Sequence, residues 1–548
     1  MPCHAVKGLR YGKYRGHDGA CITGAKKMPE GAAQNKERER GSHYHGSERR
    51  TDGAEQHDGG RSPQVHTKMQ HGQLHEHGGN RTDGIVHDER LSVMEQERKQ
   101  DIFDKGNLMR LSGLLKDAWR QAPDTEPDFL EVYSAAAQEE KEKEISRAVE
   151  KGKGGLGEYP QSLFAVRKRK EWKKRMEQLL GQFLREDALL NTKDAMDGEE
   201  LGEFRDGIKE FLREVRKFDR KLALEDMGQA LRNYVVYAVF RVLNGRKPQC
   251  RPAAFGYSML YPYTDNYIDS QERTRQEKEH YNRLIADWLK GKAVKPLSGH
   301  ERKTVELLWQ VETDYGRPHE VYKGLLLMLE AQENSLRQEQ EWKREEGTGQ
   351  EEEILGVSVY KGGVSVMMDR YFVDLPWTER DLYFYYGFGF LLQLCDDLQD
   401  IAQDKEEGNP TVFSLCRSKE EAVGKVNKLL HFTEKLFAFC DTGKPAFQAF
   451  LQRNCFLLIL ASAVGSGEWM TDEWLDRMER RLPVRPGYLR DFGTGFLGGK
   501  SRGKTDAQTG GMTGGKKEEP KKRETQDEKR KKKEHRKMMR MLDVMIAD

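Results

Sequence analysis

Two patterns are scarce in this chain. Strand-like alternation of apolar and polar residues is nearly missing, which sets aside β-sandwiches, barrels and α/β sheets. Long apolar runs are missing too. The longest, YVVYAVF at 234–240 and CFLLILASAVG at 455–465, fall short of the ~18–20 residues that cross a bilayer, so no transmembrane segment is expected and both read as buried core helices. Cysteine is sparse and irregular. The seven (Cys3, Cys21, Cys250, Cys395, Cys416, Cys440, Cys455) are scattered through 548 residues without a CxxC pair. That excludes a disulfide framework or a zinc site of the usual spacing and points to reduced thiols in a cytoplasmic protein. The opening MPCHAVKGLRYGKYRG has no apolar h-region, so no secretory signal is expected. GxxxxGK[ST], HExxH and GxSxG are absent from the folded region, which argues against P-loop, zincin and serine-hydrolase chemistry.

What is present is unevenly distributed. Hydrophobic residues make up 36% and charged residues 34%, an average over two very different kinds of segment. Residues 1–105 are rich in Gly, His, Arg and Asp and cannot repay the entropy of ordering, so they read as a disordered low-complexity tail. Its histidines (His43, His45, His57, His66, His71, His75, His77) fit a flexible metal-binding tract or plain low complexity. Residues 486–548 read as a second disordered tail. From Lys516 to Arg540 it carries thirteen Lys or Arg against six Asp or Glu, although the whole chain is only +2. A tail that seeks a polyanion, such as nucleic acid or an anionic membrane, and a merely solvated tail both fit.

Between the tails Leu, Phe, Tyr and Trp recur at helical spacing. The spacing predicts helices near 107–121, 127–150, 161–191, 199–219, 222–243, 254–290, 299–314, 318–345, 378–404, 418–440, 444–465 and 470–481, separated by breaks such as NGRKPQCRP at 244–252 and EEGNP at 406–410. The expected fold is all-α, a large antiparallel helix bundle. Residues 106–220 form a charge-heavy helical part, consistent with a solvated outer layer, and residues 221–485 form the main bundle.

The segment FLLQLCDDLQDIAQDKEEGNPTVF at 390–413 carries the clearest chemistry. Residues four apart share a helix face, so Asp396, Asp400 and Asp404 form an acidic stripe beside Asp397 and among leucines and phenylalanines. Such charges repel unless a cation sits among them. Magnesium suits the arrangement, because it takes one or two carboxylates plus water and phosphate oxygens. A second cluster lies in MLYPYTDNYIDSQERTRQEK at 259–278, where Asp265 and Asp269 share a face ahead of Arg273 and Arg275. A surface ion-pair face has the same pattern, and Pro262 predicts a kink or a helix start. Two antiparallel helices would let both clusters face one cavity. Between them, YKGGVS at 360–365 places two glycines in a helical pattern. Each costs about 1 kcal/mol in a helix, so a break is expected there, with Lys361 and Ser365 beside it.

These residues resemble the class I isoprenoid synthases, the family of trans-prenyl diphosphate synthases and terpene cyclases. Asp396, Asp397 and Asp400 match its second aspartate-rich motif, preceded by Phe390 and Gln393 and followed by Asp404 and Gly408. DNYID at 265–269 looks like the first motif, with Asn266 where a second Asp is usual, and YKGGVS resembles the lysine-bearing helix break. The resemblance covers roughly 225–465. It implies Mg2+ held by Asp265, Asp269, Asp396, Asp397 and Asp400, with Lys361, Arg273, Arg275 and Gln393 acting on the diphosphate of a geranyl- or farnesyl-class substrate. Tyr261, Tyr263, Tyr267, Phe388 and Ser365 would line the hydrocarbon cavity, where aromatic faces stabilise a carbocation. Leu260 and Tyr261, before the first motif, imply a short-chain product. Isopentenyl diphosphate is the implied second substrate, and a homodimer is implied by analogy. The basic loop that binds isopentenyl diphosphate and the cyclases' Asn-Ser-Glu motif are not recognisable. Three readings therefore stand: a prenyltransferase or cyclase, a non-catalytic isoprenoid-binding or partner protein of the same fold, and a helical interaction protein whose basic tail touches a polyanion or a membrane periphery.

Overall fold

The apolar spacing becomes helix over most of the described residues between 101 and 488. The structure is a computed structural model and describes residues 101–156, 166–185, 192–268, 270, 272–342 and 350–488. Among these residues there is no strand, and there are fifteen α-helices. They are α1 Lys105–Gln121, α2 Ala135–Leu156, α3 Val166–Arg185, α4 Gly198–Phe218, α5 Leu224–Leu243, α6 Pro252–Ile268, α7 Arg275–Leu289, α8 Gly299–Asp314, α9 Val321–Trp342, α10 Gln350–Tyr371, α11 Glu379–Gln399, α12 Ile401–Glu407, α13 Lys419–Phe437, α14 Pro445–Gly465 and α15 Asp472–Glu479. The fold is an all-α helix bundle. The amino-terminal tail, His-rich tract included, lies outside the described residues up to 100, but the expected boundary at 105 is too late. Ile102 and Phe103 are buried, and Phe103 packs on Tyr371. Residues 489–548, with the lysine-rich run, lie outside the described residues. All five described cysteines are free thiols.

Local chemistry sets the helix ends. The single helix expected over 254–290 is two helices. The α-helix stops at Ile268, and Thr274 starts α7 through a capping box, accepting from the Glu277 N–H while the Glu277 carboxylate accepts from the Thr274 N–H. Pro262 lies inside α6 and starts no new helix. Thr378 and Asp381 form the same box at the start of α11. The expectation that no segment is long enough to span a membrane also needs correcting. At 21 residues, α14 meets that criterion by length and composition, and half of it is buried inside the bundle.

The centre of the bundle is the antiparallel pair α10 and α11, which makes the most extensive helix contact in the molecule. From Leu382 to Leu391 every residue of α11 is buried, as expected of a helix apolar on all sides. The connection between the two helices is tied by two buried arginines. Arg370 donates to the carbonyls of Leu375 (3.3 Å) and Pro376 (2.9 Å), and Arg241 donates to Val373 O (3.1 Å). Helix α1 lies against both central helices, where Ser112 meets the Tyr386 hydroxyl at 2.9 Å.

The break expected at Gly362 and Gly363 does not occur, and α10 runs through both. A Cβ on Gly362 would lie 2.3 Å from Gly389 O, one on Gly389 would lie 2.0 Å from Gly362 O, and one on Gly363 would meet the Tyr386 ring at 2.5 Å. The glycines let two helix backbones touch. Their propensity cost is offset by this packing. Gly362→Ala is therefore expected to destabilise the protein by about 1–3 kcal/mol or more through overpacking against backbone. Gly356→Ala on the same helix, where a Cβ meets nothing within 4 Å, should stabilise it by up to about 1 kcal/mol. Denaturant melts of the two variants check this pair, and similar shifts in both would contradict the crossing.

Candidate active site

The α10–α11 crossing sets the heights of the polar residues beyond it. Counting along the antiparallel pair from Gly362 and Gly389, Ser358 stands opposite Gln393 and Ile354 opposite Asp397. Lys361 leans over the same region. The result is a cavity of about 150 Å³. Its walls are Ile354, Val357, Ser358 and Lys361 from α10, Gln393, Asp396, Asp397 and Asp400 from α11 and its end, Asp404 from α12, Ser335 from α9, and the segment Asn409 to Thr411. The stripe Asp396, Asp400, Asp404 thus stays together although α11 ends at Gln399, because the Asp400 N–H donates to Asp396 O and the Asp404 N–H to Asp400 O (3.0 and 2.8 Å).

The segment after α12 forms a fixed lip. Gly408, at φ 69°, ends the helix in the left-handed conformation. Thr411 and Ser414 cap one another's backbone N–H groups (2.7 and 3.1 Å), while Lys425 donates to Val412 O (3.1 Å) and Lys405 to Cys416 O (2.8 Å). Ser335, Ile354, Ser358 and the Asn409 to Thr411 lip were not anticipated from sequence. Ser358 had a readable signal, lying about one turn before Lys361.

Electrostatics in this cavity are unbalanced. Asp397 is 4% exposed. Gln393 Nε2 donates to its Oδ1 at 2.9 Å, but its buried Oδ2 has no hydrogen-bond partner. Burial raises the Asp397 carboxyl to about 7, helped by the charge of Asp396 and opposed by Gln393, by Lys361 and by the nearby Val412 N–H, which is not in hydrogen-bonding geometry. Asp404 is likewise raised to about 7, by burial first and then by Asp397 and Asp400. Buried polar atoms are nearly always paired, so the bare Oδ2 and the retained protons mark a place short of positive charge. Asp396, Asp397, Asp400 and Asp404 fit a hard divalent cation that completes its shell with water or phosphate oxygens. Among the described residues, no three acidic, His or Cys side chains form a metal cage on their own.

The other predicted residues are dispersed. The Tyr261 hydroxyl and Ser365 Oγ are hydrogen-bonded, and Tyr257 donates to Ser365 O (3.0 Å). Tyr257 also packs on Phe372, with centroids 5.4 Å apart. Moving up α6 therefore moves down α10, so the next turn of α6, with Asp265, continues toward the Lys361 end of α10. Asp265 is not in the cavity wall. It accepts from Gln332, which is one turn before the wall residue Ser335. Asp269 lies outside the described residues. Asn266 donates to Asp226 Oδ1 (2.8 Å).

Arg273 and Arg275 are exposed and paired with Glu277 (3.3 Å) and Glu279 (2.7 Å), so the structure does not bring them to the cavity. The reason is their i,i+4 spacing from those glutamates along the chain. Tyr263 donates to Asp219 (2.7 Å), and Tyr267 packs on Tyr281 (4.3 Å, tilted) and stacks on His300 (4.8 Å), so both serve the packing of α6 against its neighbours. Phe388 is core, packed with Phe240, Phe384 and Phe437 at 5.5–6.2 Å. With the geometry in place, comparison with protein-family models, with curated proteins and with solved structures finds no match.

The raised carboxyls have a pH signature. An unfolded Asp titrates near 4, whereas Asp404 titrates at about 7 in the fold. Its favourable contribution is therefore full below about pH 4 and is lost as pH rises through about 7. In metal-free protein, the stability advantage of Asp404→Asn over the wild type should widen from about pH 4 to about pH 7 and then level off. Thermal melts across that range test it, and a difference independent of pH would contradict it.

Proposed function

We propose that this protein is a magnesium-dependent enzyme that ionises an allylic prenyl diphosphate, with the chemistry of a short-chain prenyl diphosphate synthase. One observation carries the reading: Lys361, Gln393, Asp396, Asp397 and Asp400, distributed over two helices, line one cavity. Bound magnesium supplies Lewis-acid neutralisation of the leaving diphosphate. The chain's residues do the remaining work. Gln393 holds Asp397 by its Oδ1 and leaves Oδ2 to meet positive charge. Asp396, Asp400 and Asp404 extend the anionic wall. Lys361 faces it from α10 and answers the negative charge that grows on the bridging oxygen as the carbon–oxygen bond breaks. Ile354 and Val357 keep part of the wall apolar. Bond cleavage leaves diphosphate and an allylic cation, which either alkylates isopentenyl diphosphate with loss of a proton or closes on itself as in a cyclase. A homodimer and a cytoplasmic location, peripheral to membrane if the basic tail engages lipid, belong to this reading.

A second reading is a non-catalytic isoprenoid-binding or partner protein. It draws support from Asn266, turned to Asp226, and from the surface pairing of Arg273 and Arg275. Incubation with magnesium and labelled geranyl or farnesyl diphosphate, with and without isopentenyl diphosphate, separates the two. The enzymatic reading expects diphosphate release, a fall in kcat/KM of about a hundredfold or more for Lys361→Ala and Asp396→Ala, and little change on removing residues 499–548. No release from either substrate under any of these conditions would overturn it.

A further inference from the structure

Two glutamine–aspartate pairs stand on the elements that carry the acidic clusters. On α11, Gln393 Nε2 donates to Asp397 Oδ1. Between α9 and α6, Gln332 Nε2 donates to Asp265 Oδ1, while Thr264 Oγ1, 3.1 Å from that same oxygen, gives its single proton to Leu260 O at 2.8 Å. An amide donor on one oxygen restricts a carboxylate's rotamer. Metal-ligating carboxylates are commonly held in this way through hydrogen bonds from residues that do not touch the metal.

Geometry ties Gln332 to the cavity in two ways. Along α9 it is one turn before Ser335, which lines the wall, so side chains at these two positions share a face. Across the bundle, Tyr261 meets Ser365 while Tyr257, one turn earlier, meets both Ser365 and Phe372, so α6 runs antiparallel to α10 and its next turn, with Asp265, continues toward the Lys361 end of α10. The residue that holds Asp265 thus comes from a helix that itself lines the cavity through Ser335.

We propose that Gln332 is a positioning residue for the first acidic cluster, aiming Asp265 at a magnesium–diphosphate ligand bound against Asp396, Asp397 and Asp400. This rests on the reading of the cavity given above. Gln332 touches neither the cation nor the diphosphate. Its effect passes through Asp265, as that of Gln393 passes through Asp397. Gln332 was invisible in the sequence because it sits in an ordinary polar stretch, AQENSLRQEQ at 331–340, with no motif around it.

Calorimetric titration of inorganic diphosphate into the full chain, at several magnesium concentrations, tests the proposal without relying on turnover. Gln332→Leu should weaken magnesium-dependent diphosphate binding by about tenfold or more and raise the half-saturating magnesium concentration. Gln332→Asn, one methylene too short to reach, should do the same without adding apolar bulk. Combined with Asp265→Asn, either variant should cause no further loss, because the two residues act as one unit. Wild-type binding with both glutamine variants unchanged, or losses that add to that of Asp265→Asn, overturns the role of Gln332 and leaves the cavity reading intact. Failure of the wild type to bind diphosphate with magnesium overturns the cavity reading, and this proposal with it.

Discussion

The backbone contact between Gly362 and Gly389 is the constraint on which the rest of the molecule depends. Neither position tolerates a Cβ, because each faces the other's carbonyl oxygen. The contact draws α10 and α11 together at the centre of the bundle and fixes their relative height. Lys361 directly precedes one glycine, and Gln393 follows the other by one turn, with its Cβ 3.0 Å from the position a Gly362 Cβ would take. Wider separation of the helices would leave Lys361 facing its neighbours across a gap too large to share a cavity with Asp396 and Asp397. The crossing thus links core packing to the placement of charge.

The cavity departs from what stability alone would select. Four carboxylates gather around one lysine among the described wall residues, two of them keep protons to about 7, and one buried oxygen is unpaired. Violations of this kind concentrate at functional sites, where the surrounding structure must hold them in place. Here the wholly buried stretch of α11, the arginine-tied hairpin and the lysine-anchored lip hold the acidic wall in place.

Most of the helices were legible in the sequence, because amphipathic spacing and caps are local. Gly299–Asp314 and Pro445–Gly465 fall within a residue of their expected limits. The acidic stripe with Lys361 and Gln393 was legible for the same reason, being written in short segments. Three features were not. Helix propensity suggested a break at Gly362 and Gly363, while a tertiary contact with a helix nearly thirty residues later kept the helix whole. Helical periodicity continued past Ile268, but the helix ends there and a new one starts at the Thr274 and Glu277 box, with Arg273 and Arg275 paired to glutamates at the surface. The aromatic residues near the motifs could not be sorted by sequence into cavity and core. Tyr261 turned to Ser365, whereas Tyr263, Tyr267 and Phe388 joined the packing.

Co-crystallisation with Mn2+ and inorganic diphosphate tests whether the Asp396 cluster and Lys361 form a cation–diphosphate site. Anomalous density against Asp396, Asp397 or Asp400, with diphosphate density reaching Lys361, is the expected result. Fully formed crystals whose anomalous peaks lie elsewhere, with this cavity holding only water, would contradict it.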